Sequence, residues 1–194
     1  MKLIALSEAR DRAGLQDLSS SNVILDGALE TATTQVEALL RTPLGRKVRS
    51  DLFYANSDMM PFAIPSAKLL LGSGFVDDGE GFEVYSGITS ADALGGGELI
   101  DSDRYLIDDE RGVLLFTDYD PDKLFLRVEY TAGFTATSDV FDGTPSWLVD
   151  LGFTVGLRTY ASIRHDDGLK KQFDYMTMLE PKIRYEPAAI RPLI

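Results

Sequence analysis

The most apolar helical pattern in the chain lies between Pro145 and His165. Its polar side chains recur at every fourth position, so they form one narrow stripe along a helix. These residues are Asp150, Thr154, Arg158 and Ser162. Almost every other position is apolar, which is typical of a helix buried on most sides. Asp150 and Arg158 argue against a membrane span. The pattern predicts a central helix over 146–165, with Pro145 as its start signal.

Two glycines, Gly152 and Gly156, share one face of this helix because they are four residues apart. Each costs about 1 kcal/mol of helix propensity relative to alanine. The offsetting gain would be a close approach to another helix. Gly27, Ala28 and Ala32 have small side chains and make part of the helix over 22–41 slim. We expect the two glycines to pack against this slim face.

Two further helices are predicted near the N-terminus. A short helix covers 7–13, with Ser7 as the N-cap and Gly14 as the stop signal. A longer amphipathic helix covers 22–41, because its apolar residues are spaced by three and four, and Pro43 ends it. Those apolar residues are Leu25, Ala28, Leu29, Ala32, Val36, Leu39 and Leu40.

From Gly45 onward the period of the apolar positions changes to two, which predicts strands. The candidate strands are 48–54, 67–71, 82–85, 105–107, 113–116 and 124–130. In the last of these, Leu124, Leu126, Val128 and Tyr130 face one way, whereas Phe125, Arg127 and Glu129 face the other. This alternation predicts an antiparallel meander with one solvent-exposed face. Residues 86–99, with three glycines at 95–97, are expected to form a mobile loop, and residues 132–144 a polar loop.

The C-terminal part turns at 166–168 and offers one more short helix over 169–179. Residues 181–194 contain three prolines and therefore cannot form a long helix. They also carry apolar residues that are unusual in a disordered tail. We expect an extended segment that docks either on another chain or back on its own domain. Its candidate docking residues are Ile183, Arg184, Tyr185, Ile190, Arg191, Leu193 and Ile194.

Together these elements predict an α+β fold: a small helical bundle, with two N-terminal helices and one long C-terminal helix, that carries an inserted antiparallel β-meander. We expect one domain over 1–180, a β-rich acidic insertion over about 46–131 and an extended tail over 181–194. The length of 194 residues fits one domain with an insertion.

The net charge of −12 is confined to the middle of the chain. Fourteen acidic and two basic residues lie between Asp77 and Asp122, whereas the two signs balance elsewhere. Nucleic-acid-binding surfaces are basic because they contact phosphates, so this acidic segment would repel DNA. Its members include Asp101, Asp103, Asp118, Asp120 and Asp122.

The residue types that usually catalyse reactions or bind transition metals are scarce. Cysteine is absent and His165 is the one histidine. The chain therefore has few of the side chains that usually bind transition metals. His165 is better explained by the favourable field at a helix C-terminus than as a catalytic base. The N-terminus has too few apolar residues for a signal peptide, so we expect the chain to be made and kept in a cytoplasm.

The acidic run Asp118–Asp122 places carboxylates at alternate positions, as a calcium loop does, but Lys123 stands where such a loop needs glycine. A solvated acidic turn is the better interpretation, and a small cation-dependent enzyme that uses the run is the alternative. The glycines at 95–97 lack the lysine of a phosphate loop and the spacing of a dinucleotide fingerprint. We expect no enzyme, cofactor or metal site.

Several short sequence strings follow one another along the chain in a characteristic order. They are SEAR from Ser7, TATTQVEALLRTPLG from Thr31, the YLID to GVLLF hairpin over 105–116, VEYTAGF from Val128, and Pro145 leading an apolar helix that ends in Tyr160 and Arg164. In this order the chain resembles the head–tail connector proteins of tailed bacteriophages, also called adaptors or head-completion proteins. The resemblance covers most of residues 7–165. It does not extend to 166–194 or to the long acidic loops at 77–103.

The resemblance implies a structural virion protein. Such proteins form a ring, usually of twelve subunits, that joins the portal to the tail, extends the DNA channel and helps complete the head. The implied partners are further copies of the chain, the portal protein and a tail or tail-completion protein. DNA would pass through the ring without specific binding, and no membrane is involved. The implied location is the head–tail interface of the virion, after assembly in the host cytoplasm.

The same resemblance assigns expected roles to the candidate residues. The tail over 181–194 would dock on the portal, and the acidic segment would face the lumen of the channel or the tail. A negative lumen lets DNA slide, because phosphate contacts are what retain it. Asp150 and Arg158 would lie at or near a subunit boundary. Another phage structural piece, such as a tail-completion protein, stays open as an alternative.

Overall fold

The computed structural model describes residues 1–15, 19–54, 68–77, 79, 81–117, 124–172 and 192–193. The chain divides into two compact units. Unit 1 comprises Met1–Gly45 and Phe134–Arg184, and unit 2 comprises Arg46–Gly133 and Tyr185–Ile194. Most of unit 2 is therefore a single insertion into the sequence of unit 1.

Helices and antiparallel strands are both present, which confirms the predicted α+β class. In chain order the elements are α1 (Leu6–Ala13), α2 (Ser19–Leu40), β1 (Lys47–Tyr54), β2 (Lys68–Leu70), β3 (Val76–Asp77), β4 (Glu83–Gly87), α3 (Ser90–Leu94), β5 (Glu98–Leu99), β6 (Tyr105–Asp108), β7 (Val113–Phe116), β8 (Phe125–Ala132), β9 (Ala136–Thr137), β10 (Val140–Phe141), α4 (Ser146–Ile163) and α5 (Asp167–Gln172). A 3₁₀ turn, Ser102–Arg104, precedes β6. Within the described residues no helix is long and apolar enough to cross a membrane.

Unit 1 is built around α2 and α4, which pack along each other. Its buried side chains include Ile4, Ala9, Leu25, Ala28, Leu29, Leu157 and Tyr160. The predicted long helices are present, and backbone conformation sets their ends. Arg41 and His165 both have positive φ, of 53° and 56°. An α-helix cannot continue through a left-handed residue, so α2 ends at Leu40, and α4 ends two residues before His165.

The first residues of the chain are part of unit 1. The Lys2 N–H donates to the Asp139 carbonyl at 2.8 Å, and the Phe141 N–H donates to the Lys2 carbonyl at 3.1 Å. Lys2 thereby pairs with the β9–β10 hairpin, which occupies part of the predicted polar loop. Leu3 and Ile4, which follow, are buried. The α1 N-cap is Ala5 rather than the predicted Ser7, and Gly14 ends α1 as expected, with φ of 64°.

The described part of unit 2 contains two antiparallel sheets. The larger has the strand order β1-β8-β4-β5, with β3 also pairing with β8, and the smaller has the order β2-β7-β6. The predicted antiparallel pairing of 105–107 with 113–116 is present as β6–β7. The order otherwise differs from the predicted meander, in which neighbouring strands would follow one another along the chain. The difference arises because β8, late in the sequence, lies at the centre of the larger sheet between the early strands β1 and β4.

The core of unit 2 draws side chains from both sheets. In β8, Leu126, Val128 and Tyr130 are fully buried, which confirms the predicted inner face of this strand. The partly exposed residues of β8 alternate with them. The core includes Phe53 from β1, Leu69 from β2, Val84 from β4, and Leu114 and Phe116 from β7.

The segment 86–99 was expected to be a loop, and that prediction is wrong. Thr89 caps α3: its hydroxyl accepts the Asp92 N–H, and the Asp92 carboxylate accepts the Thr89 N–H. Gly97 has φ of 49°, and a Cβ there would lie 2.7 Å from the Ser86 carbonyl oxygen. The glycine run therefore lets the chain turn tightly from α3 into β5. The other predicted short helix, 169–179, is represented by α5, and residues 173–179 lie outside the described residues.

Candidate assembly surfaces

The two glycines of α4 are both buried contact points inside unit 1. A Cβ at Gly152 would lie 2.7 Å from the Leu3 Cβ, and a Cβ at Gly156 would lie 2.6 Å from the Leu29 Cδ2. Gly156 therefore lies against α2, as expected, with its Cβ position 3.6 Å from the Leu29 Cα. Gly27 is not part of that contact, because a Cβ there would meet nothing within 4 Å. Gly152 instead makes room for Leu3 of the N-terminal segment.

The polar stripe of α4 meets α1 at one end. The Asp150 carboxylate pairs with the Arg12 guanidinium at 2.7 Å, and Arg12 also contacts Glu8 at 2.6 Å. Both partners of the Asp150 pair are substantially exposed, with side-chain exposures of 39% for Arg12 and 51% for Asp150. Arg158 is half-buried. Asp150 therefore has a partner in its own chain and also remains open to a neighbour.

The remaining polar side chains of the stripe bond to the helix itself. The Thr154 hydroxyl donates to the Asp150 carbonyl at 2.8 Å, and the Ser162 hydroxyl donates to the Arg158 carbonyl at 2.9 Å. Such bonds one turn back satisfy a hydroxyl locally. The stripe therefore offers a neighbouring molecule mainly its two charged groups, at Asp150 and Arg158.

Lys2 is an ionised group that sequence reasoning missed. It is 4% exposed, and its ammonium contacts the Asp139 carboxylate at 2.6 Å and the Asp26 carboxylate. Burial alone would lower the pKa of Lys2, but the hydrogen bonds to Asp139 and Asp26 outweigh it and raise that pKa. The ammonium in turn lowers the pKa of Asp139. Three segments of unit 1 are tied together at this point: the N-terminus, α2 and the β9–β10 turn.

A second buried polar cluster lies in unit 2. The Tyr130 hydroxyl donates to the Asp51 carboxylate at 2.7 Å. The same carboxylate accepts the Gly72 N–H at 2.5 Å, and the Tyr130 oxygen accepts the Ser73 N–H at 3.1 Å. Burial, reinforced by the hydrogen bond to Asp51, raises the pKa of Tyr130. The cluster connects β1 and β8 of the larger sheet with the segment that follows β2.

The acidic segment belongs to unit 2. Asp101 and Asp103 are exposed at the 3₁₀ turn, as a solvated acidic surface requires. At the β6–β7 turn the Asp108 carboxylate accepts the Arg111 N–H at 3.0 Å. Asp118, Asp120 and Asp122 lie outside the described residues, and so does the acidic run on which the enzyme alternative rests. Within the described part of the chain, no group of three or more carboxylate or histidine side chains is placed to hold a metal ion.

The outer face of the larger sheet carries an arginine that the sequence did not single out. The Arg127 guanidinium lies 4.3 Å from the centre of the Tyr85 ring. It also contacts the Glu129 carboxylate at 3.0 Å and donates to the Leu94 carbonyl at 3.3 Å. Stacking and two polar contacts hold its side chain in one orientation. Leu94, whose carbonyl accepts this bond, and Leu99, which pairs with Tyr85, are about half exposed.

The predicted docking tail is described at one of its candidate residues, Leu193. Its N–H donates to the Leu52 carbonyl of β1 at 2.6 Å, while its side chain is 57% exposed. The other six candidates lie outside the described residues: Ile183, Arg184, Tyr185, Ile190, Arg191 and Ile194. In this structure the end of the chain therefore bonds to its own unit 2, which is one of the two expected alternatives.

No family model and no curated protein sequence matches this chain. Its fold is similar to that of a chain in the virion of a native gene transfer agent (GTA) particle, with 94% of this chain and 90% of that chain aligned, a TM-score of 0.51 and 16% identity. It is also similar to a chain in the neck of an empty GTA particle computed with C6 symmetry, with 96% and 95% aligned, a TM-score of 0.50 and 16% identity. The expected resemblance to a virion protein is thereby confirmed as a fold shared with chains of a GTA virion and a GTA neck.

Proposed function

We propose that this chain is a structural subunit of the head–tail interface of a phage-like virion, where it joins the portal to the tail. The observation that carries the proposal is the fold match to chains of a GTA virion and a GTA neck. The aligned part includes 94% or more of this chain, so the match covers both unit 1, which holds the long helices, and unit 2, which is mostly β-sheet. This order of elements, and not a local motif, is the shared feature.

In this proposal copies of the chain form a ring of twelve on the portal, extend the DNA channel and help complete the head. A twelve-membered ring is compatible with sixfold symmetry, which was applied to the neck that contains the similar chain. The exposed carboxylates at Asp101 and Asp103 line the lumen or face the tail. Negative groups in a lumen support free passage of DNA, because they offer phosphates no cation to bind.

The helical unit supplies subunit contacts in the proposed ring. Asp150 and Arg158 are the charged groups that the α4 stripe offers to a neighbour, and they lie at or near the subunit boundary. Residues 1–180 act as one adaptor domain, and residues 181–194 dock on the portal. The apolar composition of this tail supports that role, because an exposed apolar segment gains free energy when a partner covers it.

The mass of the chain in the presence of its portal tests the proposal. We expect native mass spectrometry of the mixture to show a portal with twelve copies of the chain attached. A chain that is monomeric alone is compatible with the proposal, since a ring stabilised by its partner forms only when that partner is present. A chain that stays unattached at portal concentrations near those of assembly would overturn it.

The tail is tested by deleting residues 181–194. We expect the shortened chain to lose portal binding while its helical unit keeps its thermal unfolding transition. Retained binding at unchanged affinity would show that the tail does not dock on the portal. The proposed ring would not be affected by that result.

The orientation of the acidic segment is tested on assembled rings with DNA. We expect the wild-type ring to leave DNA unbound, and Asp101→Lys with Asp103→Lys to create binding that weakens steeply with salt. Asp166→Lys with Asp167→Lys, at exposed positions of unit 1, is the control for net charge. Equal DNA binding by both double variants would contradict a position of Asp101 and Asp103 in the lumen.

A further inference from the structure

β1 is an edge strand of the larger sheet, because β8 is its one strand partner among the described residues. In an antiparallel pair, successive residues direct their backbone groups alternately toward the partner and away from it. The groups on the open side of an edge strand are a template for pairing with a further segment. The Leu52 carbonyl accepts a hydrogen bond from outside the sheet, so the Leu52 backbone belongs to this open side, and by the same alternation so do Ser50 and Tyr54.

The backbone at the end of the chain already bonds to this edge. The Leu193 N–H donates to the Leu52 carbonyl at 2.6 Å. The Leu193 side chain is 57% exposed, so the contact is made mainly by the main chain. Main-chain hydrogen bonds to an open sheet edge are the mark of strand addition.

Exposure along β1 changes toward the position of this bond. Val48 and Leu52 are four residues apart and therefore lie on the same face of the strand. Val48 is 74% exposed, whereas Leu52 is 5% exposed. The Leu52 residue is therefore covered, whereas Val48 at the beginning of the strand is open to solvent.

We propose that the open edge of β1 is a docking site for the chain's own C-terminal residues, which are held there in the free subunit. The inference rests on the proposed function, because a segment paired with β1 is withheld from the portal. A single backbone hydrogen bond contributes little net free energy, so a larger interface on the portal displaces it easily. The edge of β1 therefore holds the C-terminal residues on the free subunit until the subunit binds the portal.

Cross-linking tests the docking itself, without any portal. The chain contains no cysteine, so the pair Ser50→Cys with Leu193→Cys has no competing thiol. We expect a short bismaleimide to join the pair within one chain, giving a faster-migrating monomer. The control pair is Leu106→Cys with Leu193→Cys, at an exposed leucine in the edge strand of the smaller sheet. Cross-linking no better than in this control would overturn the docking, and covalent dimers would show that the tail of a second copy occupies the edge.

Portal binding tests the consequence of docking. Leu193→Pro removes the N–H donor, whereas the matched variant Leu193→Ala keeps it. Since the net contribution of such a bond is modest, we expect Leu193→Pro to bind the portal roughly two- to tenfold more tightly than Leu193→Ala. The cross-linked Ser50/Leu193 pair is expected to lose binding that the same protein shows before cross-linking.

Failure of this inference is distinguishable from failure of the proposed function. Equal portal affinities for the two Leu193 variants, or undiminished binding after cross-linking, would show that docking on β1 does not compete with portal binding. The portal interaction itself would stand. Efficient cross-linking of a chain that never binds portal would overturn the proposed function and leave the docking on β1 standing.

Discussion

Tyr130 and Asp51 share a 2.7 Å hydrogen bond in the interior of unit 2. Tyr130 is fully buried and Asp51 is 7% exposed. The two side chains also accept the backbone N–H groups of Ser73 and Gly72. Changing either side chain breaks the bond between the two and also leaves one backbone N–H without its acceptor, that of Ser73 for Tyr130 and that of Gly72 for Asp51, so the cluster acts as one unit.

Tyr130→Phe is expected to lower the free energy of unfolding by about 1–3 kcal/mol, the usual cost of leaving a buried polar group unsatisfied. The substitution leaves the Ser73 N–H without its acceptor and takes one donor from Asp51. Urea denaturation measures the change. Tyr85→Phe is the control, because the Tyr85 hydroxyl bonds to Glu83 at the surface, and surface changes stay within about 0.5 kcal/mol. Equal effects of the two variants would contradict a structural role for the cluster.

Alkaline pH is expected to destabilise the protein through Tyr130. Burial raises the pKa of this hydroxyl above its ordinary value of 10.0, so the folded state holds the proton more tightly than the unfolded state. That contribution to stability is complete below pH 10 and is lost as the pH rises through the folded-state pKa. The free energy of unfolding should therefore fall more steeply above pH 10 in the wild type than in Tyr130→Phe. Parallel pH profiles would contradict the shift.

Alanine substitutions at three helical glycines should differ in sign. Gly27→Ala adds a methyl group into open space and should stabilise the protein by about 1 kcal/mol through helix propensity. Gly152→Ala meets the Leu3 Cβ at 2.7 Å, close to backbone that cannot move freely. Overpacking of this kind costs about 1–3 kcal/mol, which exceeds the gain in propensity.

Gly156→Ala is expected to fall between these two variants, because the atom it meets is the Leu29 Cδ2, at the end of a side chain. Thermal unfolding of the three variants measures the order. If Gly152→Ala were as stable as Gly27→Ala, the close contact with Leu3 would not be part of the folded protein in solution.

The two sides of the Lys2 cluster should respond unequally to mutation. Lys2→Met leaves the Asp26 and Asp139 carboxylates, which are 39% and 61% exposed and can be hydrated. Asp26→Asn with Asp139→Asn leaves a buried ammonium with no counter-charge, which is the costlier situation. The double variant should therefore unfold at lower urea concentration than Lys2→Met at pH 7.

Acid titration gives an independent check on this cluster. Lys2 lowers the pKa of Asp139, so the associated stability is present above its ordinary value of 3.8 and is lost as the pH falls through the folded-state pKa. Lys2→Met should weaken this acid dependence, because the hydrogen bond that lowers the pKa is gone. An unchanged acid profile would show that the ion pair does not form.

The sequence alone determined the elements whose pattern is local. The spacing of apolar residues predicted α2, α4 and most of the strands, because an amphipathic helix or strand must turn one face to a core whatever that core is made of. The alternation in β8 also assigned Tyr130 to the inner face correctly. The order of the predicted elements indicated a resemblance to head–tail connectors, and the fold is similar to that of chains in a GTA virion and a GTA neck.

Only the tertiary structure decided which residues meet across long distances in the sequence. The position of β8 between β1 and β4, the burial of Asp51 beside Tyr130 and the fit of Leu3 against Gly152 have no local signal. The bond from Leu193 to Leu52 is of the same kind. Each depends on packing between segments far apart in the chain, and a periodic pattern states which side of an element is buried but not what buries it.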